Sequence, residues 1–167
     1  LLQPSAPVQA STPSGAPLHP GFLTNVDLAK SWLNWLFFSH ASYNYERMQG
    51  LGFAHSMVPV IKRLFANRQD RAAAMSRHLV YYNSEPNVGA YILGATAALE
   101  ERLAAEGKAD ANAVTALKTG LMGTISGIGD TLIQGTWIPV ALMLGISLTE
   151  QLGVLGPFIY ALLAAVS

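Results

Sequence analysis

One short stretch, residues 41–49, carries several side chains able to hydrogen-bond a polar ligand. Amides and carboxylates can bind two neighbouring hydroxyl groups at once, and an aromatic ring can cover the apolar face of a sugar. The stretch holds both kinds of group, so it predicts a sugar-binding site. The candidates are Tyr43, Asn44, Glu46 and Gln49, joined from later in the chain by Asn83 and Asp130. The alternatives are ordinary capping of a helix end and, for Glu46 with Arg47, a structural ion pair.

The stretch that follows, Gly50–Ile61, has no formal charge and ends at Lys62 and Arg63. As a helix it would span roughly 18 Å, well short of the roughly 30 Å of bilayer hydrocarbon. Polar groups before a short apolar segment and cations behind it predict a re-entrant or interfacial element that lines a site. The alternative is a buried core helix with a charged end, since short apolar runs are commonest in protein cores.

The composition indicates a membrane-associated protein. Charged residues make up 12% of the 167 residues and hydrophobic residues 51%, whereas soluble domains are about 25% charged. The formal net charge is zero, so no overall positive field attracts nucleic acid. The lack of cysteine excludes disulfides and thiolate chemistry. The histidines show no metal-binding spacing and no hydrolase motif is present, so we predict no metal, no cofactor and no catalytic residue.

The N-terminal region changes character after residue 22. Residues 1–22 hold five of the nine prolines and no charge, which predicts a disordered tail, and residues 23–167 would form the membrane domain. Thr24 opens a sequence that resembles a helix capping box. Trp32 and Trp35 recur on the apolar side of that helix, which predicts an amphipathic helix lying in the membrane interface. The alternative is a helix facing the core of a soluble bundle.

Charged regions separate the apolar segments in the middle of the chain. Residues 62–77 are rich in Lys and Arg, as expected for a short cationic loop on the cytoplasmic side of a membrane, although a solvated helix face would have the same composition. Pro86 opens a second short apolar element, Asn87–Leu99. The charged, alanine-rich residues 100–112 after it predict a solvated helix end and loop.

The C-terminal region predicts transmembrane helices with interruptions. Thr131–Thr149 and Gln151–Ser167 carry no charge, and they contain Pro139 and Pro157. Paired apolar segments broken by Pro and Gly are typical of discontinuous transporter helices. The glycine-rich stretch Gly123–Asp130 would allow either close helix packing or an unwound segment facing a polar cavity.

Several blocks of residues together resemble a known family. The blocks are Asn44–Phe53 with Met57–Pro59, His78–Asn83 with Ile92–Gly94, and Lys118–Gly123 with Gly127–Asp130. In this order and spacing they resemble the enzyme IID subunit of the mannose-type sugar phosphotransferase system, over about residues 24–160. The chain departs from the family pattern at Glu85, Thr124, Ser126 and Gln134. Family members are longer at the C-terminal end, and this chain stops within an apolar run, so we expect the N-terminal portion of such a subunit.

The resemblance implies an all-α integral protein of the bacterial inner membrane. It would translocate a hexose or amino sugar as part of an oligomeric complex with a second membrane subunit, enzyme IIC. Phosphorylation would come from the phosphohistidines of the soluble enzymes IIA and IIB, so this chain needs no catalytic histidine. The rival hypothesis is a soluble helical interaction protein without transport activity. A membrane enzyme acting through Glu100 and Asp130 lacks supporting spacing.

Overall fold

The computed structural model describes residues 22–106 and 111–165, which are helical apart from turns and two isolated backbone bridges. The helices are α1 (Asn25–Phe38), α2 (Gly50–Leu64), α3 (Arg68–His78), α4 (Pro86–Glu106), α5 (Ala111–Gly129), a π-helical segment (Asp130–Trp137), α6 (Ile138–Leu152) and α7 (Leu155–Ala165). The predicted disordered tail lies outside the described residues except for Phe22. We call residues 22–106 and 111–129 the N-terminal bundle and residues 130–165 the C-terminal hairpin.

Helix α1 begins at the predicted capping box. The Thr24 hydroxyl oxygen accepts from the Asp27 backbone N–H at 3.2 Å, and the Asp27 carboxylate accepts from the Thr24 N–H at 3.1 Å. The Thr24 hydrogen bonds hold the pKa of Asp27 below its usual value. The predicted apolar face, however, is divided. Trp35 is 2% exposed and packs into the core, whereas Trp32 is 49% exposed on the outside.

Helix α2 lies at the centre of the N-terminal bundle. Its apolar side chains are buried against α1, α3 and α4, and Trp35 packs edge-on to Phe53 at 6.0 Å between ring centroids. The close approach of α1 needs a glycine, because a Cβ on Gly52 would lie 2.7 Å from the carbonyl oxygens of Phe38 and Ser39. The structure matches the alternative of a buried helix whose charged end carries exposed Lys62 and Arg63. A re-entrant position in the bilayer stays a prediction.

Helices α3 and α4 correct two local expectations. Most of residues 62–77 are helical rather than a loop, because Asn67 caps α3 by accepting from the Gln69 N–H at 2.8 Å. Helix α4 begins at Pro86 as predicted but continues to Glu106. Its final turns are not simply solvated: Glu100 is fully buried because α3 supplies a cation to pair with it.

Helix α5, the π-helical segment and α6 form one continuous helix, Ala111–Leu152, the only described helix long and apolar enough to cross a bilayer. At 42 residues it would extend roughly 63 Å, about twice the hydrocarbon thickness. The predicted interruption of this helix is a change from α-helical to π-helical hydrogen bonding, and Pro139 lies just after it. The glycine-rich stretch Gly123–Asp130 is helical and not unwound. A turn at Gly153, with φ of 59°, reverses the chain into α7.

Helix α7 packs along α6 through small residues. A Cβ on Gly145 would lie 2.6 Å from the Tyr160 Cβ, and Gly156 abuts Thr149. Glu150 lies exposed in the last turn of α6, shortly before Gly153. The hairpin leaves most of its large apolar side chains exposed.

Candidate functional site

Two loops of the N-terminal bundle meet and bring five of the six predicted residues into one region. The loop between α1 and α2 lies against the loop between α3 and α4. The Gln49 N–H donates to the Tyr82 carbonyl at 2.8 Å, and the Tyr82 N–H donates to the Arg47 carbonyl at 3.3 Å. We call the region formed by Tyr43, Asn44, Glu46, Gln49 and Asn83 the cross-loop cluster.

The backbone turn within the cluster is held in an unusual conformation. Met48 has a φ of 50°, in the left-handed region that a bulky side chain rarely adopts. Its backbone forms bridges to both Asn44 and Tyr82. The Asn44 carboxamide oxygen accepts from the N–H groups of Glu46 and Arg47, at 3.1 and 2.9 Å, in an Asx turn. Asn44 therefore shapes the loop, and its contact with sugar stays a prediction.

Gln49 joins the two loops from a buried position. Only 2% of Gln49 is exposed. Its carboxamide oxygen accepts from the Ser84 N–H at 2.9 Å, and its nitrogen lies 3.1 Å from Nε2 of His40. The His40 ring stacks on Tyr43 with 5.7 Å between centroids. Because both ends of the Gln49 amide bond the protein, the structure gives this residue a positioning role, while sugar contact stays a prediction.

Tyr43, Asn83 and Glu46 present polar groups at the surface of the cluster. The Tyr43 hydroxyl donates to the Asn83 carboxamide oxygen at 3.1 Å. The carboxylate of Glu46 lies 3.3 Å from the Arg47 guanidinium, and the Glu46 side chain is 79% exposed. This geometry is that of the structural ion pair considered from the sequence. Such an exposed pair contributes little stability, so the carboxylate can exchange its partner for a ligand at low cost.

Asp130, the sixth candidate, lies at a different place. It begins the π-helical segment, is exposed, and accepts from the Ser126 hydroxyl at 3.1 Å. The preceding residue, Gly129, packs on the start of α4, where a Cβ would lie 2.7 Å from the Glu85 Cβ. The hydrogen-bond partner of Asp130, Ser126, lies one turn earlier on the same helix and does not belong to the cross-loop cluster. π-Helical turns inside α-helices are frequent at functional sites.

A buried ionic network under the cluster was missed from the sequence. Glu100 accepts a bidentate pair of hydrogen bonds from the Arg77 guanidinium, at 2.6 and 2.7 Å, and its carboxylate lies 3.0 Å from Nε2 of His78. Lys118 donates to the His78 carbonyl at 3.3 Å, with its ammonium 4.8 Å from the centre of the Phe53 ring. The only sequence signal is that Glu100 directly follows an uncharged run.

The network fixes which groups are charged. Burial lowers the pKa of His78, more than the nearby Glu100 raises it, so the imidazole is neutral near pH 7. Burial alone would raise the pKa of Glu100, but the hydrogen bonds from Arg77 and His78 bring it below its usual value. The carboxylate is therefore ionised and holds α3 against α4. Among the described residues no group of His, Asp and Glu is placed to hold a metal ion.

Comparison with known proteins now assigns the family. The profile of the phosphotransferase system mannose/fructose/sorbose family IID component matches residues 22–167. The chain belongs to this family. It is 45% identical over 123 residues to a mannose-specific EIID component of Escherichia coli K12, and 43% over 120 residues to a sorbose-specific EIID component of Klebsiella pneumoniae. A fructose permease IID component of Bacillus subtilis is 40% identical over 119 residues.

The relatives are longer than this chain. The match to the mannose-specific component covers 73% of this chain but only 44% of that relative. The corresponding shares are 72% and 44% for the sorbose-specific component and 71% and 43% for the fructose permease component. The chain also resembles a cryo-EM structure of the mannose transporter ManYZ with microcin E492, at a TM-score of 0.82 and 40% identity, covering 87% of this chain and 53% of that one. A second structure, described as a membrane protein, gives a TM-score of 0.79 at 41% identity, over 86% and 53% of the two chains.

These comparisons confirm the resemblance given by the sequence blocks and the all-α membrane class. They weaken the rival of a soluble interaction protein, because the similar structures include a membrane transporter. The exposed apolar side chains of the C-terminal hairpin agree with a lipid environment.

Proposed function

We propose that this chain forms the N-terminal portion of a IID membrane subunit that translocates a hexose or amino sugar. Its family membership supports this, and the relatives carry names for mannose, sorbose and fructose, all six-carbon sugars. Enzyme IIC would be its membrane partner and would share the sugar site. Enzymes IIA and IIB would deliver the phosphoryl group from the cytoplasmic side of the bacterial inner membrane.

The observation that carries the proposal is the exposed polar edge of the cross-loop cluster. Tyr43 and Asn83 are hydrogen-bonded across two loops, and the Glu46 carboxylate lies on the same loop as Tyr43. An amide, a carboxylate and a phenol together match the donors and acceptors of a sugar. Gln49 and Asn44 would hold these groups in place through their own hydrogen bonds and could contact the sugar once the loops open.

The proposed mechanism is alternating access. The IIC and IID subunits would hold the sugar between them in the membrane and expose it to one side at a time, and IIB would phosphorylate it on the cytoplasmic side. No side chain of this chain takes part in phosphoryl transfer. Asp130, on the π-helical segment, would contribute a second acceptor from the membrane-spanning helix, where an acidic group requires a polar partner or water.

The test uses a full-length IID subunit with IIC and IIB in membrane vesicles. Tyr43→Phe removes one hydroxyl and Asn83→Ala one amide. We expect each to lower the initial uptake of radiolabelled mannose about fivefold or more at equal membrane abundance, since a neutral hydrogen bond contributes about 1 kcal/mol. Tyr45→Phe is the matched control, because Tyr45 is 98% exposed on the same loop. Uptake unchanged by both Tyr43→Phe and Asn83→Ala would remove the cluster from the sugar site.

Fractionation tests the membrane assignment separately. We expect the chain to remain with the membrane after washing with salt and to need detergent for release. A chain that stays in the supernatant without detergent would instead support the soluble interaction protein.

A further inference from the structure

A cleft separates α1 from the start of α4, on the side of Trp32. Its volume is about 200 Å³. The lining is mostly apolar, with two polar side chains, and consists of Trp32, Trp35, Leu36, Ser39, Pro86, Asn87 and Ala90. None of these residues belongs to the cross-loop cluster, and neither the family resemblance nor the sequence pattern marked the cleft.

Two tryptophans line the cleft, one buried and one partly exposed. The Trp35 indole N–H donates to the Pro86 carbonyl at 2.7 Å, so that tryptophan has no donor left and presents carbon to the cleft. Trp32 is 49% exposed, which leaves part of its ring open to a ligand. Rigid aromatic walls with few polar groups suit a ligand that has both an apolar face and hydroxyl groups.

The charges around the cleft disfavour an anion. A helix N-terminus ordinarily attracts negative groups, but the start of α4 already holds the Glu85 carboxylate. Glu85 accepts from the N–H groups of Asn87 and Val88 at 2.9 and 3.0 Å. A phosphate, whether free or on a lipid headgroup, would meet this carboxylate and find the donors taken. The cleft therefore suits a neutral ligand.

Two polar side chains in the lining of the cleft, Asn87 and Ser39, offer hydrogen-bond acceptors. The Asn87 amide nitrogen donates to Glu85 at 2.9 Å, which fixes the carboxamide, and its oxygen accepts no hydrogen bond from any described residue. The Ser39 hydroxyl lies 3.2 Å from Nδ1 of His40. An unused carboxamide oxygen beside an aromatic wall can accept from a ligand hydroxyl.

The volume of the cleft suits a single ring. A closed cavity of about 150 Å³ is enough for benzene, so a cleft of about 200 Å³ has room for one six-membered ring between its walls. We propose that this cleft is a second sugar subsite, which binds one neutral hexose ring against Trp32. The proposal rests on the proposed function, because it takes its ligand class from there.

The cleft and the cross-loop cluster lie along the same pair of loops. Ser39 in the cleft precedes His40, which contacts Gln49, and Pro86 follows the loop that carries Asn83. A sugar leaving one site would therefore meet the other nearby. The subsite would act as a place of first or last contact on the path of the sugar.

The test measures equilibrium binding of radiolabelled mannose to the purified complex of IIC with a full-length IID subunit in detergent. Trp32→Leu should weaken one class of sites about fivefold to tenfold, while Trp32→Phe should keep most of the affinity because an aromatic wall remains. Phe37→Leu is the matched control, since Phe37 is 70% exposed on the same helix and does not line the cleft. Melting temperatures of all three variants report on folding.

Three outcomes would separate the possibilities. Unchanged mannose binding in Trp32→Leu, together with reduced uptake in Tyr43→Phe, would overturn the subsite and leave the proposed function standing. Failure of the wild-type complex to bind or transport any hexose would overturn both. Quenching of tryptophan fluorescence by lipids with brominated acyl chains that is lost in Trp32→Leu, and that saturating mannose does not relieve in the wild-type complex, would assign the exposed part of Trp32 to lipid and overturn the subsite.

Discussion

The N-terminal bundle buries many of its large apolar side chains in a core, whereas the C-terminal hairpin leaves most of its own exposed. In the bundle, Phe53, Met57 and Val60 are completely buried. In the hairpin, Met143, Phe158 and Leu162 are 68–70% exposed. Both regions are helical, and both are poor in charge along their apolar segments. The difference lies in what surrounds these side chains. In the bundle it is protein, and for the hairpin we expect the lipid of a membrane.

Charged groups show the same contrast. The bundle buries Glu100, Arg77 and Lys118 and surrounds them with partners, which is costly unless each charge is compensated. The hairpin keeps Asp130 and Glu150 at its two ends, on the surface. Inside a packed bundle, neighbouring helices supply partners that compensate a buried charge. A hairpin that faces a membrane lacks such partners along its length, so its acidic residues lie near the ends of its helices.

The outer face of α1 resembles the hairpin, because it also exposes large apolar side chains. Val26, Leu33 and Phe37 are 59%, 43% and 70% exposed, although Ser31 and Trp35 on the inner face are buried. An interfacial position for α1 would cover these apolar side chains. The bundle would then contact lipid along one helix and the hairpin along most of its surface.

The largest effect is expected from breaking the ionic network of the bundle. Glu100→Gln removes the charge that compensates Arg77, and loss of one partner from a buried pair costs about 3–5 kcal/mol. We expect a large drop in the melting temperature measured in detergent.

Glu101→Gln is the control for that substitution. Glu101 is the next residue on the same helix, is only half-buried, and accepts from the Leu23 N–H. Its loss should cost about 1 kcal/mol. Equal destabilisation by the two variants would show that burial does not set the contribution of these carboxylates.

A smaller effect is expected from placing a charge on the hairpin. Met143→Lys puts a cation on an exposed apolar surface, which costs about 2.5–3.5 kcal/mol at the middle of a membrane helix. We expect a lower fraction of the chain to resist alkaline extraction from membranes. Tyr45→Lys, on a loop of the bundle, should leave that fraction unchanged. Full resistance of Met143→Lys would mean that water or protein, not lipid, surrounds this side chain.

Local signals predicted the starts of helices well. The Thr24 capping box and Pro86 each begin a helix as expected, because both act through residues within one turn. The family blocks also identified the membrane class correctly. The division of the tryptophans was not predictable, because Trp32 and Trp35 share an apolar side in the sequence and only the position of α2 decides which is buried.

Long-range partners explain what the sequence missed at the site. Clustering in sequence put Tyr43, Asn44, Glu46 and Gln49 on one loop. Asn83 was expected to join them from later in the chain, but nothing in the sequence showed its hydrogen bond with Tyr43, 40 residues away. Glu100 looked solvated because no local feature shows that Arg77, 23 residues away, lies beside it. The π-helical segment has no sequence signature of its own, so only the glycine-rich stretch Gly123–Asp130 before it and Pro139 just after it indicated an irregularity there.

The smallest effect is expected at the boundary between the two regions, where two neighbouring glycines differ. Gly129 faces the bundle, where an added Cβ would collide with Val88 and lie 2.7 Å from the Glu85 Cβ. Gly127 has no neighbouring atom within 4 Å of the same position. Gly129→Ala should therefore destabilise the chain by about 1–3 kcal/mol. Gly127→Ala should be neutral or stabilise by up to about 1 kcal/mol through helix propensity.

Melting temperatures of the two glycine variants, measured side by side in detergent, decide where the bundle ends. A loss for Gly129→Ala alone would show that one face of α5 packs on the start of α4 as far as Gly129, so the boundary lies after this residue. A loss of similar size for Gly127→Ala would require a protein neighbour on the open face of α5. The contrast between a protein-packed bundle and a lipid-exposed hairpin would then begin further along the chain, because part of that open face would also be packed against protein.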